Sequence, residues 1–548
     1  MHENLTLYEC LSFQFWMHFH QRTHLSMRSF LFRRFSTGIK TLTSSQPIFG
    51  NRNWNPIPIP SRTLSEPKAQ DLDFVNVTHS HLIHSDWDKL NSLSAHFTPF
   101  RLKHVLLKIQ KDHVLSLEFF NFVQSQNPNS LTLETLSIIL HILTKNQKFK
   151  SADFILRTVI RPGALDLPNK LFDAILYSYR MCHSSPRVFD LLFKTYAHLR
   201  KFRNATDTFS QMKDYGFLPT IRSCNAYLSS LIDSNRMDIA LAFYKEMRRN
   251  RISPNVYTLN MVMSAFCKLG NLEKAVEVLK EMDDMGINPV DSSYNTLISG
   301  CCHKGLLNLA VKLKNQMREK GVEANVITFN TLIYGFCKER KLHEASKVFS
   351  EMKVLNVAPN NVTYNTLIDG YSRTGNSEMG RRLYEEMSRN GIKADILTYN
   401  ALILGLCKEG KTKKAAYMMK ELEKQNLAPN ASTFSALILG QCIRNNPDRG
   451  FQLYKYMVRS GCHPNEQTFS ILLSTFCKSE DFEGAFSVSM EMFERCMSPS
   501  PDVLLEIYRG LRGCRKDHLA NKLCSEMQAR HIVAEGFDRE EVINSRPE

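Results

Sequence analysis

The stretch Val326-Ile327-Thr328-Phe329-Asn330-Thr331-Leu332-Ile333-Tyr334-Gly335-Phe336-Cys337-Lys338 decides the fold, because near copies of it recur at a spacing of 35 residues. Asn295-Thr296-Leu297-Ile298-Ser299-Gly300 precedes its central hexapeptide by that interval, and Asn365-Thr366-Leu367-Ile368-Asp369-Gly370 follows it by the same interval. Phe329, Leu332, Ile333 and Phe336 stand at i, i+3, i+4 and i+7, the apolar stripe of a helix with one buried face. Thr328 stands where an N-cap is expected, and Glu339-Arg340 supplies a turn. A second stripe of Leu342, Ala345, Val348, Phe349 and Met352 predicts a second helix. It ends near Asn356, where sister units carry Gly286, Gly321, Gly391 and Gly461, as a left-handed cap requires. Pro359 then blocks continuation.

Working outward, eight consecutive units begin at 221, 256, 291, 326, 361, 396, 431 and 466 without insertion or deletion, filling 221–500. Within 97–220, worn copies occupy 97–131, 133–167 and 186–220, with a single helix expected in 168–185. A worn final unit covers 501–535, a polar tail 536–548, and a linker or N-terminal cap 61–96. One hairpin cannot bury both of its stripes alone, so the units are expected to stack into an all-α solenoid with a continuous core. Columns of Ala or Gly (Ala310, Ala345, Gly380), of Met (Met317, Met352, Met387) and of Cys (Cys302, Cys337, Cys407) repeat in step and read as core.

The net charge of +16 points to a polyanionic partner. Through Ser65, six Arg and one Lys against Glu3 and Glu9 leave +5, so the rest of the chain holds +11. From Cys10 to Ser65 no acidic residue occurs among many Ser, Thr, Phe and Arg, the composition of an organellar transit peptide, assigned here to 1–60 with its linker. Met27 opens a compact version of it and is a second candidate start beside Met1; Arg33-Arg34-Phe35-Ser36 resembles a mitochondrial processing site. Mitochondria are the expected destination, with chloroplasts as the alternative. No apolar run is long enough to span a bilayer. No Cys/His spacing fits zinc, so no metal and no cofactor is expected.

The 35-residue period, the Tyr/Phe-Asn-Thr-Leu-Ile opening and the Pro-Asn/Asp ending resemble the pentatricopeptide repeat family, in its P class of unbroken 35-residue units and its plant organellar type. The likeness covers 97–535 and is strongest over 221–500. It implies a right-handed superhelix of helix-turn-helix repeats with single-stranded RNA along it, one base per repeat, and a role in organellar transcript processing, stabilisation, splicing or translation. A helical scaffold of an organellar ribosome is the alternative, and other RNA-processing or ribosomal proteins are candidate partners.

Two columns would carry base reading. Asn225, Asn260, Asn295, Asn330, Asn365 and Asn400, continued by Ser435, occupy the fifth position of each unit. Asn is a poor helix former, so its repetition asks for a cause: either an amide offered to a base edge or a ladder binding neighbouring repeats. The second column ends the units: Asn255, Val290, Asn325, Asn360, Asp395, Asn430 and Asn465. The resemblance implies that Asn with Asn selects cytosine over uracil, Asn with Asp uracil, and Ser with Asn adenine. The expected target is therefore about 5′-C-Y-C-C-U-C-A-3′, with Y a pyrimidine because Asn260 meets Val290. Asp190 with Thr220, Ser470 with Ser500 and Leu505 with Glu535 give no reading. Tyr257, Ile327, Val362 and Leu397, second in their units, would wedge between bases. Lys268, His303, Lys338, Arg373, Lys408 and Lys478 form a basic column that could neutralise phosphates or simply complement helix C-termini.

No catalysis is expected. Gly405-x-x-x-x-Gly410-Lys411-Thr412 matches a phosphate-loop pattern, but both glycines are repeat positions and a helix, not a strand, precedes Gly410. No deaminase motif follows the repeats, and the residues after 535 are too few for a nuclease domain.

Overall fold

The computed structural model describes residues 56–60, 65–160, 168–530 and 532, with the side chains of 168 and 169 excepted. Residues 1–55 of the leader, Glu535 and the polar tail lie outside these residues. Among the described residues there are twenty-seven α-helices, two short 3-10 helices and no strand, so the fold is all-α. No helix among them is long and apolar enough to cross a membrane. The chain divides into two compact units at Leu269/Gly270, inside the repeat 256–290.

The first unit opens with Gln70–Ile83 and Trp87–Ser92, a helix pair where a linker or cap was expected. Pairs follow at Pro99–Lys108 with His113–Gln126 and at Leu133–Lys145 with Phe149–Ile160. A lone helix, Pro168–Tyr179, precedes the more regular repeats. The core runs through Leu140, Leu156, Phe189, Phe193, Tyr227 and Phe243, all buried. His141 is fully buried in it: Nε2 contacts the Ile175 carbonyl at 2.9 Å and Ser178 Oγ at 3.0 Å, and Nδ1 lies 2.7 Å from Ser184 Oγ. Burial pushes its pKa down from 6.5 to about 4, against the opposing pull of the Ile175 carbonyl.

In the second unit every helix from Leu272–Asp284 to Asp517–Ala529 has thirteen residues, because each repeat is the same 35-residue solution. The first helix of each repeat packs on the first helix of the next, and its own second helix covers the other side. Asn356 ends its helix at φ 55° and Gly391 at φ 74°, so the left-handed cap stands at the expected place. The first-helix glycines mark a close approach instead: a Cβ on Gly335 would meet Cys302 Sγ at 2.5 Å, and one on Gly440 would meet Cys407 Sγ at 2.6 Å. Gly405 presses on Ser372 in the same way within the helix Ile396–Lys408, which disposes of the phosphate-loop match. The Cys column is free, and burial pushes the Cys302, Cys337 and Cys407 thiols up to about 12.

One local reading is corrected. Thr328 is the third residue of its helix, not the cap: the helix Val326–Lys338 is capped by Asn325, which has extended backbone. Asn325 Oδ1 accepts the Thr328 N–H at 3.1 Å, while Thr328 Oγ1 accepts the Asn325 N–H at 3.2 Å. Reciprocal bonding of this kind satisfies two orphan donors at once, so the helix gains by starting three residues earlier. The column that ends each repeat is therefore also the N-cap column of the following one.

Candidate nucleic-acid interface

The two Asn-rich columns meet through this cap wherever an Asn at the fifth position faces an Asn or Asp at the repeat end. In the second unit Asn360, Asp395 and Asn430 each turn Oδ1 toward the N–H of Thr363, Thr398 and Thr433 at 3.1, 2.9 and 3.1 Å. Each of those threonines donates its hydroxyl back to the fifth-position Asn of the preceding repeat: Thr363 to Asn330, Thr398 to Asn365 and Thr433 to Asn400, all at 2.6 Å. The Asn amide closes the triangle on the cap oxygen, Asn330 to Asn360 at 3.2 Å, Asn365 to Asp395 at 3.0 Å and Asn400 to Asn430 at 3.1 Å. Within the first unit the same arrangement joins Asn225, Asn255 and Thr258. The Thr column was not singled out from sequence, although its regular place two residues before the Asn was a visible signal.

This ladder gives the repeated Asn a structural cause. Six Asn residues in mid-helix are thus not by themselves a sign of RNA. What the ladder leaves over is more informative. Asn225, Asn330, Asn365 and Asn400 each keep one of their two amide hydrogens. Four caps keep their outer atom: Nδ2 of Asn255, Asn360 and Asn430 has no protein partner among the described residues, and Oδ2 of Asp395 takes only a longer contact of 3.2 Å from Asn365. Cap geometry demands oxygen at the inner position. The outer atom is consequently a donor in Asn and an acceptor in Asp. Burial raises the Asp395 pKa, but bonds from the Thr398 N–H and hydroxyl, the Asn365 amide and the Leu397 N–H outweigh it and hold the carboxyl below its usual range. Asp395 stays an ionised acceptor.

Two residues beyond four of the caps stands an uncovered apolar side chain. Tyr257, Ile327, Val362 and Leu397 are 56, 63, 56 and 61% exposed, at the second position of their repeats and off both apolar stripes. Arg222, Ser292, Ser432 and Gln467 take that place in the other repeats and are likewise exposed. Tyr334, exposed and one helical turn before Lys338, was missed because no sister repeat has an aromatic there.

The basic column divides. Lys338 Nζ donates to the His303 carbonyl and Lys408 Nζ to the Arg373 carbonyl, both at 2.8 Å, which caps the preceding first helix. Arg373 pairs with Asp369 on its own helix at 2.6 Å. Lys268 and Lys478 are exposed. Burial, then Arg373 and Arg340, push the Lys408 pKa down against the opposing charge of Asp369.

Some predicted pairs are not brought together. Ser435 reaches Thr468 Oγ1 at 2.7 Å, with no bond to Asn465 among those described. Val290 has no polar side chain to cap with, and it falls in a different unit from Asn260. Thr220 donates through N–H and hydroxyl to both oxygens of Asp190, at 2.7 and 3.0 Å, so that unit brings its two columns together with the donor and acceptor roles reversed.

A family model described as the PPR repeat family matches residues 219–268, 289–338, 324–373, 359–408, 394–443 and 433–478. A PPR repeat model matches 257–287 and 467–497. A pentatricopeptide repeat-containing protein of Arabidopsis thaliana, named as mitochondrial, is 70% identical over 196 residues, 36% of this chain and 38% of that protein. Another from the same plant, also named as mitochondrial, is 30% identical over 197 residues, 34% of this chain and 26% of its own length. The chain thus spans well under half the length of these curated relatives. Among solved structures, the pentatricopeptide repeat protein PPR10 with an 18-nt psaJ RNA element is 20% identical, covering 86% of this chain and 71% of that one at a TM-score of 0.38.

Proposed function

This chain belongs to the pentatricopeptide repeat family, and from that premise we propose that it is a P-class, sequence-specific binder of single-stranded RNA. The observation that carries the proposal is the spare outer atom of the caps Asn255, Asn360 and Asp395, each two residues before an exposed apolar side chain, Tyr257, Val362 or Leu397, at multiples of the 35-residue period. A splayed base needs a hydrogen-bonding edge contact and an apolar surface on which to rest, and the boundaries at Asn255, Asn360 and Asp395 supply both. The fifth-position Asn orients the cap and offers one further donor. Lys268, Lys338, Arg373, Lys408 and Lys478 supply positive charge along the same repeats, two of them while also capping helices.

The reading for units 221 to 465 is 5′-C-Y-C-C-U-C-A-3′. The protein works by occupying or presenting RNA in transcript processing, stabilisation, splicing or translation, without a reaction of its own. The acid-free leader and the mitochondrial names of relatives support residence in mitochondria. Random-pool RNA selection on the purified protein from residue 60 onward is expected to enrich a pyrimidine-rich motif containing this order. A pool that returns unenriched would favour the scaffold reading.

Asp395 offers a sharper check. Uracil presents an N3–H donor where cytosine presents an acceptor, so the Oδ2 acceptor of Asp395 suits uracil and an amide suits cytosine. Asp395→Asn is expected to move the fifth base from uracil to cytosine by about 1–2 kcal/mol. Asn can keep the inner oxygen on Thr398, so the melting temperature should hardly move. Affinities for 5′-C-U-C-C-U-C-A-3′ and its fifth-base cytosine variant would be compared. An unchanged ranking would remove the base-reading role from the whole cap column.

A further inference from the structure

Four boundaries share an Asn–Asn pair, yet one of them is built differently. At the end of the repeat 291–325, Asn325 Nδ2 donates to Asp291 Oδ2 at 2.7 Å, a charge-assisted bond absent from Asn255, Asn360 and Asn430 among the described residues. Asp291 is the first residue of that same repeat, where the other three Asn–Asn repeats carry Ile221, Val326 and Ile396, and the remaining repeats Val256, Asn361, Ala431 and Glu466. The cap side chain is displaced with it. Asn325 Oδ1 takes an extra bond from the Ile327 N–H at 3.0 Å, and its bond from Asn295 stretches to 3.5 Å, the longest of the series. Asp291 is itself held by the Ser292 N–H on Oδ1 at 2.7 Å, so its carboxylate is fixed in place.

We propose that Asp291 is a specificity-determining residue that cancels the cytosine preference of its repeat, an inference resting on the RNA-reading function above. One of the two Asn325 amide hydrogens is committed to the carboxylate, and an anionic acceptor lies beside the other. The N3 acceptor of cytosine would face that charge, whereas the N3–H of uracil is drawn to it. The repeat therefore accepts either pyrimidine at the third base, although its two reading residues match those of the next repeat.

The next repeat, with Asn330 and Asn360, is the internal control. Full-chain protein would be titrated with 5′-C-U-C-C-U-C-A-3′ and with versions carrying uracil at the third or the fourth base. In the parent, uracil at the fourth base should weaken binding roughly tenfold, and at the third base by less than about threefold. Asp291→Val, which copies Val256 and Val326, should raise the third-base loss to match the fourth. All three RNAs carry equal charge, so any general gain from removing a carboxylate cancels in the ratio. Asp291→Ala provides the same comparison should valine disturb the helix start, and a thermal melt reports folding. Equal losses at the two bases in the parent, or an unmoved third-base loss in both variants, would overturn the role of Asp291. If neither base matters in any protein, base reading itself fails and this inference falls with it.

Discussion

A variant carrying Asn330→Ala, Asn365→Ala and Asn400→Ala is expected to bind the pyrimidine target about a hundredfold more weakly while remaining folded. Each substitution removes an amide donor and releases the cap that it orients. At roughly 1 kcal/mol for each such loss, three successive repeats give about 3 kcal/mol. Stability should fall much less. Thr363, Thr398 and Thr433 lose one acceptor each, but their hydroxyls also lie 3.1, 3.0 and 3.2 Å from the oxygens of Asn360, Asp395 and Asn430. Alanine, moreover, recovers some tenths of a kcal/mol in helix propensity at each position. Fluorescence anisotropy with labelled RNA and a thermal melt on the same samples separate the two causes of the Asn column. A lower melting temperature with unaltered affinity would reduce the column to a ladder between repeats.

The second large effect is expected in the first unit, on acidification. His141 is neutral in the folded chain, with its pKa pushed down from 6.5 to about 4 by burial. Between those values the unfolded chain binds a proton that the folded chain refuses, so stability is present above pH 6.5 and drains away as pH falls toward 4. At 1.36 kcal/mol per pH unit, the loss is roughly 3 kcal/mol. No carboxylate lies among the groups bonded to the ring; Ser178, Ser184 and the Ile175 carbonyl surround it, with the Tyr179 ring 6.1 Å away. His141→Gln should be less stable at pH 7 but nearly free of this slope. Urea unfolding of parent and variant at pH 7 and pH 4.5 measures it, and parallel losses in the two proteins would show that other groups carry the acid sensitivity.

Much of this molecule was legible in its sequence because a 35-residue period repeats each local signal many times. Two apolar stripes, a Gly or Asn stop and a proline name a helix pair, and stacking is then compelled by stripes that one hairpin cannot bury. The exposed Tyr257, Ile327, Val362 and Leu397 follow equally from the pattern, since they fall off both stripes. The helix start did not. Thr328 and Asn325 are both good caps in isolation, and the choice rests on a reciprocal pair of bonds that a reading of single residues does not rank.

Sequence alone determined that the described chain is a stack of helical hairpins and which columns stand apart from its core. Only tertiary structure decided what those columns can still bind. Asn330 reaches Asn360 across 30 residues, and Thr363 reaches Asn330 across 33, because stacking sets one first helix beside the next. Those contacts consume the inner oxygens of Asn360 and Asp395 and leave the outer atoms, a donor in Asn360 and an acceptor in Asp395. They also let Asp291 claim the amide of Asn325, where the reading pair itself looks the same as in its neighbour. A hydrogen-bonding group has few valences, and how many remain for a ligand depends on what packing has already placed beside it.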